Sequence, residues 1–249
     1  YTVRDLFAKD PAGTLKKVAA AGYKQVEIAP GSKPGDLKKD LRAAGLTAPS
    51  GYFNEPKTLE DWKKLVEQAH SYGLQYIVIG ENPVRDAATW RRRAEFYNKC
   101  GEVAKQAGIQ FCYHAHFHEF AETGGTTGYD IMLKDCSPDL LKMEMDIFWV
   151  TYAGADPLRY WRLYPGRFPL LHIKDLRKGV KISPQEDPAP GGPNPFAPVG
   201  RGRIDWKLLF AHVHEAGAKH IFVEQDKCNL PEVQAIQISY DYLRHLRLG

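Results

Sequence analysis

The stretch AKQAGIQFCYHAH, residues 104–116, carries the pattern on which the fold turns. An amphipathic, alanine-bearing segment ends at Gly108, and an extended apolar run follows at once. A glycine just past a helix takes the left-handed conformation that lets the chain reverse into a strand. The same punctuation occurs in VAAAGYKQVEIA (18–29), LRAAGLTAPS (41–50), AHSYGLQYIVIG (69–80) and HEAGAKHIFVEQD (214–226). Five such junctions predict helices and strands in alternation. The long interval before the last of them holds two more strand candidates, LKMEMD at 141–146 and PLLHIK at 169–174.

Counting Tyr1-Thr2-Val3 as the stub of a first strand gives eight. They lie near 1–3, 24–29, 46–52, 75–80, 109–116, 141–146, 169–174 and 219–224. Helices are expected at 12–21, 35–44, 58–72, 87–107, 126–135, 156–163, 204–216 and 231–247, with Thr58 as an N-cap three residues before Asp61. Eight of each favour a single α/β (β/α)8 TIM barrel over residues 1–249, its N-terminal strand truncated, rather than an open doubly wound sheet. No GxGxxG turn follows the first strand, which weakens a dinucleotide-binding reading. The start at Tyr1 is expected to reflect a removed leader. That start fits a cleaved export signal, which favours a periplasmic or secreted protein over a trimmed cytoplasmic one while the compartment stays open.

Composition excludes several classes. The chain has 249 residues, 43% hydrophobic and 26% charged, which is globular rather than disordered or fibrous. Lys and Arg number 34 against 30 Asp and Glu, and the resulting +4 is too weak to suggest nucleic acid. No apolar run approaches the roughly 20 residues that span a bilayer. Cys100, Cys112, Cys136 and Cys228 lie far apart without a CxxC pair, so four unpaired, mostly buried thiols are expected. The irregular stretch 177–203, with PQEDPAPGGPNPFAPVGRG inside it, follows a strand on the face where barrels place their sites. It is expected to form an active-site lid or an oligomer contact.

Strands buried on both faces should read as continuous apolar runs, and several here do not. Period two groups Gln25 with Glu27, then Gln110, Cys112, His114 and His116. It also groups Lys142, Glu144 and Asp146, then Leu170, His172 and Lys174, then His220, Phe222 and Glu224. If these sets face the barrel interior, their charges must be paired, hydrogen-bonded or bound to a metal. Each residue has a structural reading: Asp146 as a turn cap, Glu224 paired with Lys174 or Lys142, His172 as a core histidine. Their joint occurrence at C-terminal strand ends favours a site. Asp146, His172 and Glu224, with His114, His116, His118 and Glu119 nearby, make a mixed nitrogen and oxygen donor set. Such a set suits Mn²⁺, Co²⁺ or Zn²⁺, and Mg²⁺ less well.

On the stretches YTVRD (1–5), GYKQVEIA (22–29), FCYHAHFHEF (111–120), MEMDIFWVTYAGADP (143–157), LLHIKD (170–175), VGRGRIDW (199–206) and IFVEQD (221–226), the chain resembles the sugar phosphate isomerase/epimerase proteins of the xylose-isomerase-like TIM-barrel superfamily. The resemblance runs along essentially the whole chain. It implies one divalent metal held by a Glu, an Asp, a His and a second Glu from successive strands. Asp146, His172 and Glu224 match directly. The first Glu is assigned to Glu119, with His114 as the competitor, because many similar proteins carry a carboxylate where this chain has His114. The chain also departs from the resemblance at HAH, where HNH is usual, and at Tyr52, where many relatives have a His.

The implied activity is metal-dependent isomerisation or epimerisation of a keto-sugar or sugar phosphate through an enediolate, with Glu119 and Glu224 exchanging the proton. His114, His116, Trp149, Lys174 and Glu27 are the candidate substrate-binding residues. The alternative outcome of the same chemistry is a lyase or dehydratase acting on a 3-keto-glycoside or keto-inositol. A DNA-directed phosphodiesterase fits poorly, because the ends of the strands at 46–52 and 75–80 offer Tyr52 and Gly80 rather than ligands. Arg201 and Arg203 are weighed as a phosphate contact against a solvated loop. A carbohydrate is the expected partner, with no nucleic acid and no membrane, and a homo-oligomer is left open.

Overall fold

A computed structural model describes residues 1–80, 84, 86–188 and 192–246. Seven parallel strands form the main sheet: β1 (Gln25–Ile28), β2 (Thr47–Tyr52), β3 (Tyr76–Gly80), β4 (Gln110–His114), β5 (Leu141–Asp146), β6 (Leu170–Ile173) and β7 (His220–Val223). They neighbour one another in chain order. Helices cross between them, so the sheet curls into a nearly closed TIM-barrel-like wall. The seam lies between β1 and β7, the two ends of the sheet. A side-chain contact spans it, with His220 Nδ1 2.8 Å from Gln25 Oε1.

The five predicted junctions owe their shape to local backbone chemistry. Helix Pro34–Ala44 ends at Gly45 with φ +69°, and helix Leu59–Tyr72 ends at Gly73 with φ +77°. That region is strained for any residue with a Cβ. Thr58 caps its helix as expected, its Oγ1 accepting from the Asp61 N–H at 3.1 Å.

Three expectations are corrected. Tyr1-Thr2-Val3 does not join the sheet; it turns into the helix Arg4–Lys9. Thr2 and Arg4 instead secure the end of β7, where the Gln225 N–H donates to Thr2 Oγ1 at 2.8 Å and the Arg4 guanidinium to the Asp226 carbonyl at 3.0 Å. The strand expected at 109–116 stops at His114. The helix expected at 204–216 breaks into Trp206–Ala211 and Val213–Ala216, because His212 leaves helical geometry at φ −116°, ψ 7°. The final helix runs Glu232–Leu243, and the end expected for it at 247 lies outside the described residues, as do 189–191 of the long loop. No described helix is long and apolar enough to cross a membrane.

The interior is layered. Val78, Cys112, Leu170 and Phe222 form an apolar floor, flanked by Tyr52 and Tyr76. Two residues further along β4, β6 and β7 come His114, His172 and Glu224, so period two places the polar groups one layer above that floor. The opposite faces pack Tyr113, Met143, Met145, Leu171 and Ile173 against the helices in the main core.

Candidate functional site

Strand register assembles the upper layer. His114 pairs in register with Glu144, and Asp146 with His172. His114 Nδ1 lies 2.8 Å from Glu144 Oε2. A carboxylate only accepts, so the ring donates through Nδ1 and turns Nε2 toward Asp146 Oδ2, 3.8 Å away. His172 Nε2 lies 3.0 Å from Glu27 Oε2 and 3.4 Å from Glu144 Oε2. Its Nδ1 faces Glu224 Oε2 at 3.1 Å and Asp146 Oδ2 at 3.9 Å. His114, Glu144, Asp146 and His172 are all buried. Glu144 Oε1 has no hydrogen-bond partner among the described residues.

Asp146 serves two purposes. Its Oδ1 accepts from the Trp149 N–H at 3.2 Å and caps the helix Ile147–Tyr152, while Oδ2 faces the site. Lys174, at 1% exposure, brings its ammonium within 3.0 Å of Asp146 Oδ2, 2.6 Å of Glu224 Oε2 and 2.6 Å of Asp226 Oδ1. The contact with Asp146 is an ion pair whose angles miss hydrogen-bond geometry.

The electrostatics separate the two imidazoles. Burial, together with His172 and His116, pushes the His114 pKa down to about 3, so this ring is neutral. Burial also opposes charge on His172, but Glu144 and Glu224 outweigh it and hold this imidazole well above its ordinary value. Glu224 is held well below the usual carboxylate range, since Lys174 and His172 overcome the effect of burial. Glu27 is raised by burial and by the charge of Glu144.

Two groups of ligand atoms lie within 4.8 Å of one another: His114, Asp146 and His172, and Glu27, Glu144 and His172. Glu119 belongs to neither. It sits in the 3-10 turn His118–Phe120, beyond the end of β4, and is fully buried. Its Oε1 accepts from the Tyr113 hydroxyl at 2.7 Å and Oε2 from the His116 N–H at 3.0 Å. Tyr113 is on the helix-facing side of β4, so Glu119 is turned out of the barrel. The competitor, His114, is the residue brought beside Asp146 and His172. Glu144 and Asp226 were not in the predicted set; Glu144 shares the inward face of 141–146 with Asp146, and that period was the available signal.

Trp149 and Phe196 flank Lys174. The Lys174 ammonium lies 5.5 Å from the Trp149 ring centroid and 5.7 Å from that of Phe196. The His116 ring lies 4.7 Å from that of Trp149, tilted by 32°. Phe196 arrives on the long loop, where Phe196–Ala197 pairs antiparallel with Asp175–Leu176. Cavities of about 340 and 210 Å³ lie along this loop, and Arg177 lines both. Arg201 and Arg203 are exposed. The backbone around them wraps Asp175, which accepts from the N–H groups of Gly200, Gly202 and Ile204 and from the Trp206 indole.

Comparison with known proteins places this geometry. An inosose dehydratase of Lacticaseibacillus casei is 25% identical, over 82% of this chain and 77% of that protein. A sugar phosphate isomerase/epimerase from Parabacteroides distasonis superposes with a TM-score of 0.83 at 25% identity, covering 98% of this chain and 91% of the other. A xylose isomerase-like TIM barrel protein from Mycobacterium smegmatis, solved in complex with magnesium, shares the fold at a TM-score of 0.69 and 16% identity, over 94% of this chain and 87% of its own. The model of the family described as xylose isomerase-like TIM barrel matches residues 15–246. The chain belongs to that family.

Proposed function

We propose that the chain is a divalent-metal-dependent isomerase or epimerase of a keto-sugar or sugar phosphate, working through an enediolate. One observation carries the reading. Each histidine gives one ring nitrogen to a carboxylate, His114 to buried Glu144 and His172 to half-buried Glu27, and turns the other toward Asp146, the His172 nitrogen meeting Glu224 as well. That is the arrangement in which an outer carboxylate fixes the tautomer and aim of a ligating imidazole. Donor spacing agrees: ligands about 2.1 Å from one ion sit about 3–4 Å apart. The distances between His114 Nε2, Asp146 Oδ2, His172 Nδ1 and Glu224 Oε2 that bear on this are 3.8, 3.9 and 3.1 Å.

These four residues would hold the ion, which when bound polarises a carbonyl and the adjacent hydroxyl and stabilises enediolate charge. The Glu224 carboxylate, kept ionised by Lys174 and His172, is the base that takes the proton from the carbon beside the carbonyl. Its Oε2 carries the contacts to Lys174 and His172, which leaves Oε1 for that proton. Returning the proton to the neighbouring carbon, with the hydroxyl proton passing to the former carbonyl oxygen, completes isomerisation; reprotonation of the same carbon by solvent on the opposite face completes epimerisation. His116 and Lys174 face the substrate oxygens, and Trp149 supplies the apolar wall against the ring. Glu119 supports the loop that presents His116 and takes no part in proton transfer.

One observation favours a second reading. With Glu119 turned outward, Glu224 is the carboxylate base at the mouth, and one carboxylate can run elimination beside a ketone by taking the proton from carbon and giving it to the departing hydroxide, which leaves as water. The inosose dehydratases among the relatives fit that outcome. The test is a screen of keto-sugars, sugar phosphates and keto-inositols with Mn²⁺, Co²⁺, Zn²⁺ or Mg²⁺ in D₂O, followed by NMR. Solvent deuterium at a retained carbon supports isomerisation, loss of a hydroxyl supports dehydration, and full activity of Glu224→Gln would rule out both mechanisms.

A further inference from the structure

Lys174 has three N–H donors and meets three carboxylates, Asp146, Glu224 and Asp226. Two of these acceptor atoms, Asp146 Oδ2 and Glu224 Oε2, are the oxygens assigned above to the divalent ion. An ammonium and a dication on the same oxygens repel each other, and in a buried site water screens that repulsion poorly. Lys174 is 1% exposed, so it cannot retreat into solvent without leaving its place in the fold. The Trp149 and Phe196 rings also lie beside it, and they favour a cation there but accept no hydrogen bond of carboxylate strength. Asp226 is the third carboxylate and lies outside both donor groups. The chain around it is tied by Thr2 and Arg4, which hold Gln225 and the Asp226 carbonyl.

We propose that Lys174 and the divalent ion compete for Asp146 and Glu224, and that Asp226 is the positioning residue that receives the ammonium when the ion binds. The inference rests on the metal-site reading above. It also assigns Lys174 a second state: anchored by Asp226 alone, it has two N–H donors free for a substrate oxygen.

The test is Mn²⁺ binding by calorimetry to the wild type, Asp226→Asn, Lys174→Met and the double variant, each checked for folding by thermal unfolding. Asp226→Asn is expected to weaken Mn²⁺ by about tenfold or more, in the range usual for residues behind metal ligands. Lys174→Met is expected to tighten it. In the Lys174→Met background, Asp226→Asn is expected to change the affinity by less than about threefold, because the two residues act as one unit. Asp226→Glu is expected to keep wild-type affinity. Equal losses in both backgrounds would mean that Asp226 acts by bulk charge and would overturn the proposal, as would an unchanged affinity in Asp226→Asn. A wild type that binds no Mn²⁺ removes the metal-site reading itself. If Lys174→Met fails to fold, Lys174→Gln takes its place, since it keeps polar contacts without the charge.

Discussion

Replacing Asp175 with asparagine tests whether the long loop is fastened by one buried carboxylate. Asp175 is 0% exposed and accepts four hydrogen bonds. Gly200, Gly202 and the Trp206 indole donate to Oδ2 at 2.9, 3.0 and 2.9 Å, and Ile204 donates to Oδ1 at 3.2 Å. The approach is close enough that a Cβ on Gly202 would lie 2.1 Å from Oδ1. An asparagine has one acceptor oxygen. Placed where Oδ2 sits, it keeps three donors as neutral bonds, and its amide then faces the Ile204 N–H, leaving a buried donor unpaired. Charged-to-neutral exchange and one orphaned donor together cost several kcal/mol gross. Burial raises the Asp175 pKa despite these bonds, so removing the charge recovers part of that cost. The net expectation is about 3 kcal/mol, or a Tm lowered by about 6–12 °C for a chain of this length. Calorimetry reads the melting shift, and hydrogen exchange is expected to lose protection at Gly202 and Ile204. A variant melting within about 2 °C of wild type, with protection intact, would refute the fastening role.

Three further outcomes follow from the geometry. Gly80 stands in register with His114, and a Cβ there would lie 2.0 Å from the His114 carbonyl oxygen. Gly80→Ala is therefore expected to force β3 and β4 apart, lower the Tm and weaken Mn²⁺ binding together; an unchanged affinity would show that β4 does not set the aim of His114. The Glu119 pKa is lowered because His118 and His116 outweigh burial, so its stabilising contribution is present above its ordinary value of 4.5 and is lost as pH falls through the lower folded value. Urea unfolding across that acid range should show a shallower pH dependence for Glu119→Gln than for wild type. Burial pushes Cys100 and Cys136 up to about 12 and Cys112 well above its ordinary value, while half-buried Cys228 is raised to about 11. Thiol titration at neutral pH should thus be slow in the native protein, with Cys228 first, and complete in denaturant; fast labelling of Cys112 would contradict the packing of the barrel floor.

The helix–glycine–strand junctions were readable because their cause is local. A positive φ at Gly45 or Gly73 is a property of a few consecutive residues, whatever the rest of the chain does. Tyr1-Thr2-Val3 was misread for the opposite reason. A strand exists through its partners, and three extended-looking residues do not disclose that their partners will be the end of β7 and a helix beginning at Arg4. Composition likewise says nothing about whether β1 and β7 meet along a ladder.

The same distinction explains the site. Asp146, His172 and Glu224 were legible because period two and a strand end suffice to aim them inward, and the expected strands there ended within about a residue of the observed ones. Glu119 lies apart from His114, Asp146 and His172 because β4 ends at His114 rather than 116. Past that point alternation no longer governs direction, and a single 3-10 turn sends the carboxylate back to Tyr113. Glu144 was the harder omission, since it and Asp146 point the same way from one strand. Only the register of neighbouring strands separates them: Glu144 lies beside His114, Asp146 beside His172. Register comes from the stagger of the whole barrel, which no single strand encodes. It also divides the labour between the two carboxylates. The lower one faces His114 Nδ1 and His172 Nε2, and the upper one faces His114 Nε2 and the His172 Nδ1 that also meets Glu224. Register thus gives the two carboxylates different neighbours, Glu144 beside His114 and Asp146 beside His172, even though both positions face inward.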